Sequence, residues 1–211
     1  GTVTGVQTCA LPIFWAEERG FDDVWFSDSA GADALTLAGG VGQATKRVRI
    51  GTAIIPVYTR TPAVFASTVL ALDSLCGGRF ILGLGVSGPQ VVEGWYGRPY
   101  AKPLARTREY VAIVRRILAR EGPAEFDGQF YQLPLQGGTG LGKALKSTVH
   151  PLRSDLPIML AAEGPKNVAL SAEICDGWLP FWFSPKSDNF YREALAEGFD
   201  RPGARRSFED F

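Results

Sequence analysis

Five short apolar runs, each handing over to a helix-forming segment, constrain this chain more than any other feature. Residues 23–27, 48–55, 80–84, 157–162 and 178–182 are rich in β-branched, aromatic and aliphatic side chains and read as strands. Residues 33–45, 62–76, 103–120, 165–175 and 185–198 come after them in turn and read as helices. Four of these open on proline, whose fixed φ and missing N–H suit a first helical turn. Strands with near-continuous apolar character, alternating with helices, predict a parallel sheet covered on both faces. Gly20 reads as the left-handed cap of a helix over residues 14–19. Residues 121–155 break the rhythm, with a small hairpin expected over residues 126–133, turning at Asp127-Gly128, and a loop over residues 137–142.

Two architectures meet this pattern, an open doubly wound sheet and a (β/α)8 barrel. A doubly wound sheet concentrates its site at one switch point, whereas a barrel gathers every C-terminal strand end into one mouth. Here each strand ends in unusual chemistry: Ser27-Asp28-Ser29, then residues 53–56, 85–88, 163–166 and 181–183. The expected fold class is therefore α/β, a (β/α)8 barrel. The stretch RFILGLGVSG (residues 79–88) tests the choice, because Gly83, Gly85 and Gly88 match the dinucleotide pattern G-x-G-x-x-G. Its context does not match. Gly94 and Gly97 interrupt residues 89–97, the next long helix opens only at Pro103, and Glu109 falls inside a helix instead of ending a strand. Two readings stay open, a strand-end loop that admits a ligand to the backbone and a purely structural turn.

Charge narrows the partners. Lys and Arg total 22 against 22 Asp and Glu, which argues against nucleic acid or an anionic membrane as partner, and the cluster at residues 201–206 reads as solvated surface. No run approaches the ~20 apolar residues of a membrane helix. Three cysteines without close pairing suggest a reducing, cytoplasmic setting, with no disulfide framework and no zinc spacing; Cys76 and Cys175 read as core. A lone histidine, His150, makes a catalytic triad or a histidine-rich metal site improbable. Residues 3–13, VTGVQTCALPI, look like translated sequencing adapter. Residues 1–13, with Cys9, are therefore set aside as non-native, leaving residues 14–211 as one domain cut at both ends.

Four segments in register carry a family resemblance: AEERGFDDVWFSDS, RVRIGTAIIPVYTRTPAVFAS, LDSLCGGRFILGLGVSGPQVVEGWYG and PIMLAAEGPKNVALSAEICDGWLP. Together they resemble the bacterial luciferase-like oxidoreductases, and within them the branch that uses the deazaflavin coenzyme F420. The resemblance implies a TIM barrel of which strands two to six are present. It also implies hydride transfer between a bound deazaflavin and a small organic substrate. An FMN-dependent monooxygenase is the alternative within the fold, and a non-catalytic barrel relic the alternative outside it. A homo-oligomeric parent is left open. Five of eight strands would leave unpaired edges, so the 211-residue chain alone is expected to be poorly soluble and inactive.

Residue by residue, the resemblance implies a non-proline cis peptide at Ala53–Ile54 that buttresses the ring; an ordinary strand end before Pro56 is the alternative. Gly85, Val86, Ser87 and Gly88 match the loop lining the cofactor cleft. Val86 stands where the luciferases carry arginine, which moves the phosphate to Glu163, Gly164, Pro165 and Lys166. There a helix N-terminus offers free N–H groups, and Lys166 sits where the helix dipole alone would disfavour a cation, so it reads as a ligand or else as solvated surface. Asp28 matches an acidic position near the ring and is the candidate catalytic residue; capping the following segment is its alternative. Ser29 replaces a histidine found in some relatives and cannot titrate near neutral pH. Trp95, Tyr96 and Trp182 are expected on the substrate side, and Arg60 as a loop anchor.

Overall fold

The computed structural model describes residues 5–28 and 31–211; Ser29 and the side chain of Cys9 lie outside the described residues. In chain order the elements are α1 (Gly5–Glu18), β1 (Asp23–Phe26), α2 (Ala34–Ala44), β2 (Arg49–Thr52), β3 (Ile55–Pro56) and α3 (Pro62–Leu75). Next come β4 (Phe80–Gly85), α4 (Pro89–Gly94), α5 (Pro103–Ala119), the hairpin β5 (Phe126–Asp127) and β6 (Gln132–Leu133), and β7 (Ile158–Ala161). The chain closes with α6 (Pro165–Ile174), β8 (Gly177–Leu179), a 3-10 turn (Pro185–Ser187) and α7 (Asp188–Phe199).

The main sheet runs β1-β2-β4-β7-β8, every pair parallel, with β3 also on β4. Spatial order therefore equals chain order. A doubly wound sheet would reverse direction at a switch point, and among the described residues none occurs. Successive parallel strands linked through helices form an arc of a (β/α)8 barrel, with β1 and β8 as its edges. Phe80, Leu82, Leu84, Ile158 and Leu160 from the sheet are fully buried with Phe65 of α3 and Tyr110 and Ile113 of α5. Cys76 and Cys175 are both in this core; burial pushes the Cys175 thiol up to about 12, which leaves it inert at neutral pH. Among the described residues no helix is long and apolar enough to cross a membrane.

Four local expectations need correction. Pro56 does not stop its strand. It lies in β3 opposite Gly85, where the following N–H, that of Val57, donates to the Gly85 carbonyl at 3.0 Å, so the missing proline donor costs nothing. Residues 89–94 form a helix, with Gly88 as N-cap and Gly94 as its last residue. The last strand ends at Leu179 instead of residue 182, because Pro180 cannot donate to a ladder and Trp182 adopts φ +56°. Gly198 lies within α7 and not at its stop. A Cβ there would stand 2.1 Å from the Ala169 carbonyl oxygen, so glycine lets α7 lie directly on α6.

The basic cluster is only partly solvated surface: Arg205 is exposed, but its other two arginines are engaged. Arg201 pairs with Glu173 at 2.8 Å and with Glu197, and Arg206 pairs with the buried Asp176 at 3.2 Å. These contacts fold the C-terminal segment back onto α6.

Candidate functional site at the C-terminal strand ends

A parallel arc brings all its C-terminal strand ends to one side, and the chain's irregular backbone collects there. The ladder between β2 and β4 breaks after Gly51 opposite Ile81 and resumes, through β3, at Ile55 opposite Leu84. The Ala53–Ile54 peptide between is cis, at the position expected. Thr52 spans the gap: its buried hydroxyl accepts from the Gly83 N–H at 2.9 Å and donates to the Gly83 carbonyl at 3.0 Å. Ala53 is exposed and Ile54 half-buried. The Ile54 side chain lies over Gly85, where an added Cβ would come within 2.6 Å of Ile54 Cδ1. Gly85 is thus the floor on which Ile54 rests.

Beyond it, Val86 packs on the core and Ser87 takes φ +56°, its carbonyl accepting from the Tyr100 hydroxyl at 3.2 Å. This turn delivers Gly88 as the N-cap of α4. Ser87, Gln90, Val91, Gly94, Trp95, Tyr96 and Asp28 enclose a depression of about 470 Å³. A second, of about 410 Å³, shares Asp28, Trp95 and Tyr96 and adds Asp33 and Arg60.

Asp28 faces Arg60 across 3.5 Å, with only 11% of its side chain exposed. Arg60 also pairs with Asp33, so it ties the segment after β1 to the loop before α3, as a loop anchor would. Asp33, not Asp28, caps α2, accepting from the Thr36 N–H at 2.8 Å. Burial, helped by the Asp28 charge, pushes the Tyr96 hydroxyl up, while Arg60 opposes the rise.

The second group of expected residues sits on another part of the rim. Gly164 is the N-cap of α6 and Pro165 its first residue. A Cβ on Gly164 would meet nothing within 4 Å, so the backbone N–H groups of this helix start are open to a ligand. Lys166 is exposed and has no ion pair among the described residues. Glu163 accepts from the Phe181 N–H at 2.9 Å, which ties the end of β7 to the segment after β8. Neither depression at Asp28 includes residues 163–166. Trp95 and Tyr96 line both depressions, whereas Trp182 stands 85% exposed, edge-on to Phe181, and lines neither.

Sequence reasoning did not single out Tyr58, Tyr100, Arg98 or Arg106, which crowd beside this mouth. Tyr58 and Tyr100 stack with ring centroids 5.6 Å apart. Nothing in their spacing marks them, because they come from two loops, one holding Tyr58 and the other Arg98 and Tyr100, and from the first turn of α5. Among the described residues no group of three or more His, Cys, Asp and Glu could hold a metal ion. The rim offers an aromatic wall, one shielded ion pair and exposed backbone. It suits binding and orienting an organic cofactor better than acid–base chemistry by the protein alone.

A family model described as luciferase-like monooxygenase matches residues 15–210. The chain is 61% identical over 207 residues to a Mycobacterium tuberculosis protein named as a candidate coenzyme F420-dependent oxidoreductase, covering 97% of this chain and 60% of that relative. It is 33% identical over 189 residues to the 5,10-methylenetetrahydromethanopterin reductase of Methanolobus tindarius, covering 89% and 54%. The fold superposes on the coenzyme F420-dependent tetrahydromethanopterin reductase from Methanopyrus kandleri with a TM-score of 0.84 at 25% identity, covering 99% of this chain and 61% of that one. The chain therefore spans 54–61% of the length of these relatives. A match over nearly every residue, on a parallel arc with its irregular backbone at the strand ends, shows that the chain belongs to the luciferase-like monooxygenase family.

Proposed function

We propose that residues 14–211 are the luciferase-like domain of an oxidoreductase that uses coenzyme F420 and a small organic substrate. The observation that carries this reading is the 61% identity to the mycobacterial relative, whose name specifies F420. The rim fits such a group in three respects. Gly164 leaves open backbone at a helix start, Ala53 is exposed above Ile54 and Gly85, and Val86 supplies no cation for a flavin phosphate. When bound, the deazaflavin supplies the hydride chemistry.

The chain's own residues hold and orient it. Ala53, Ile54 and Gly85 form a shaped wall for the ring, continued by Val86, Ser87 and Gly88. Gly164, Pro165 and Lys166 present N–H groups and a cation to the phosphate, with Glu163 fixing their loop. Asp28, kept in place by Arg60, faces the reacting side, and Trp95 and Tyr96 exclude water there. Binding of F420 to the complete parent protein, followed by fluorescence, is expected with FMN binding far weaker. Tight FMN binding without any response to F420 would replace this reading with an FMN-dependent monooxygenase.

The wall has its own test. Gly85→Val places branched carbon where Ile54 rests, and F420 affinity is expected to fall about tenfold or more, equivalent to ~1.4 kcal/mol. Unchanged affinity would remove Ile54 and Gly85 from the site.

A further inference from the structure

We propose that Arg98 and Arg106, with Tyr58 and Thr61, form an oxyanion pocket beside the mouth, taking a phosphate or carboxylate group. The pocket encloses about 390 Å³ between the loop after β3, the loop after α4, the first turn of α5 and Tyr131 of the hairpin. Its cations are unequally committed. Arg60 is neutralised by Asp28 and Asp33. Arg98 and Arg106 have no carboxylate partner within ion-pair distance among the described residues.

The nearest acid on α5 does not serve them. Glu109, one turn beyond Arg106, accepts from the backbone N–H groups of Gln129, Phe130 and Tyr131 at 2.8, 2.8 and 3.1 Å. Arg106 is instead sandwiched by rings, its guanidinium carbon 4.5 Å from the Phe130 centroid, 5.1 Å from Tyr58 and 5.7 Å from Tyr131. Stacking fixes the plane of a guanidinium without consuming its charge or its in-plane donors, and Arg106 Nε is buried with no partner.

A second, independent observation points to a ligand. Tyr58 is 92% buried and lines the pocket, yet its hydroxyl has no hydrogen-bond partner. Buried hydroxyls are rarely left so; this one lies beside the Arg106 guanidinium and helps place it, and an oxyanion would take the free donors of Arg106 together with those of Arg98. Thr61, also on the wall, is the N-cap of α3 and makes no side-chain capping bond, so the positive end of the α3 dipole adds to the same field. The shared chemistry is an oxyanion, which either the substrate or the glutamyl carboxylates of the cofactor's tail, beyond the phosphate held at Lys166, can supply.

Inorganic phosphate titrated into the protein is the probe, read by calorimetry and by the rise in melting temperature. Saturable binding is expected, weakened about tenfold by Arg98→Ala and several-fold by Tyr58→Phe. The latter removes only an unpartnered hydroxyl and so leaves the fold intact. The sources separate by comparing F420 with its tail-less chromophore. Weakened F420 binding with unchanged chromophore binding in Arg98→Ala assigns the pocket to the tail, and unchanged binding of both assigns it to the substrate. Absence of phosphate binding, or binding that neither substitution changes, overturns the pocket while leaving the F420 reading untouched.

Discussion

Replacing Gly83 with alanine is expected to remove about 3 kcal/mol of stability or more, or to prevent folding outright. Gly83 sits in β4, which pairs with β2 and β3 on one side and β7 on the other, so neither neighbour is free to yield. A Cβ at this position would stand 1.7 Å from the Thr52 carbonyl oxygen, 2.9 Å from its carbon and 3.0 Å from Leu179 Cδ1. The first two are backbone atoms and cannot rotate away. Relief would require parting β2 from β4 where Thr52 holds both the N–H and the carbonyl of Gly83 through one hydroxyl. Urea denaturation reads the loss. Gly94→Ala serves as control, since a Cβ there meets nothing within 4 Å, and it should leave stability within about 0.5 kcal/mol. A Gly83→Ala protein as stable as the control would mean that the strands part more easily than their packing indicates. Thr52→Val, which strands both Gly83 groups in the interior, is expected to cost about 2–4 kcal/mol by the same measurement.

The three glycines that mimic a dinucleotide fingerprint therefore have three separate reasons, none of them a pyrophosphate. Gly83 admits the Thr52 backbone, Gly85 admits the Ile54 side chain, and Gly88 starts α4. The order of strands and helices was legible because apolar runs and proline-opened helices are local signals, and the barrel followed from unusual chemistry at every strand end. The cis peptide at Ala53–Ile54 was legible only through family resemblance; no periodicity marks it. Other features escaped because their causes are distant in sequence. Glycine is a local signal for a helix end, but Gly198 lies inside α7 for a distant reason: Ala169 on the preceding helix occupies the space its Cβ would take. Arg201 and Arg206 looked solvated because their acids, Glu173 and Asp176, lie about thirty residues earlier. Of the candidate site, Asp28, Ser87, Trp95 and Tyr96 gather around one depression. Residues 163–166 form a distinct part of the rim, and the arginine pocket beside Tyr58 draws on four segments that share no motif.

Asp176→Asn is expected to cost about 2–3 kcal/mol at pH 7, below the ~3–5 kcal/mol of a fully buried pair because its arginines keep some contact with water. Asp176, 6% exposed, is the bolt between β7 and the C-terminal segment. Its carboxylate accepts from the Ile158 N–H at 3.0 Å, from Arg115 at 2.8 Å and from Arg206 at 3.2 Å, while its own N–H donates to the Ile158 carbonyl at 2.7 Å. Burial pushes this carboxyl up, but the Arg115 charge and the Ile158 N–H outweigh it and hold the group below the usual carboxylate range. Glu173 is lowered as well, chiefly by its hydrogen bonds from Arg108, with burial opposing and Arg201 adding to the effect. In the unfolded chain such carboxyls take up protons near pH ~4, before the folded protein does. The unfolded state then binds more protons, so stability is fully present above about pH 5 and is lost as pH falls through the folded values. The asparagine variant has no such proton to gain. Its deficit relative to the parent chain should therefore be largest at neutral pH and shrink as the pH falls below about 4, where the parent loses the charge as well. Asp188→Asn, whose exposed partner Arg192 lies one helical turn away, should change stability by no more than about 0.5 kcal/mol at either pH. Denaturant titrations at neutral and acid pH separate the cases. A deficit that stays constant with pH would mean that Asp176 acts through shape alone, and that the clamp between β7 and the C-terminal arginines is not electrostatic.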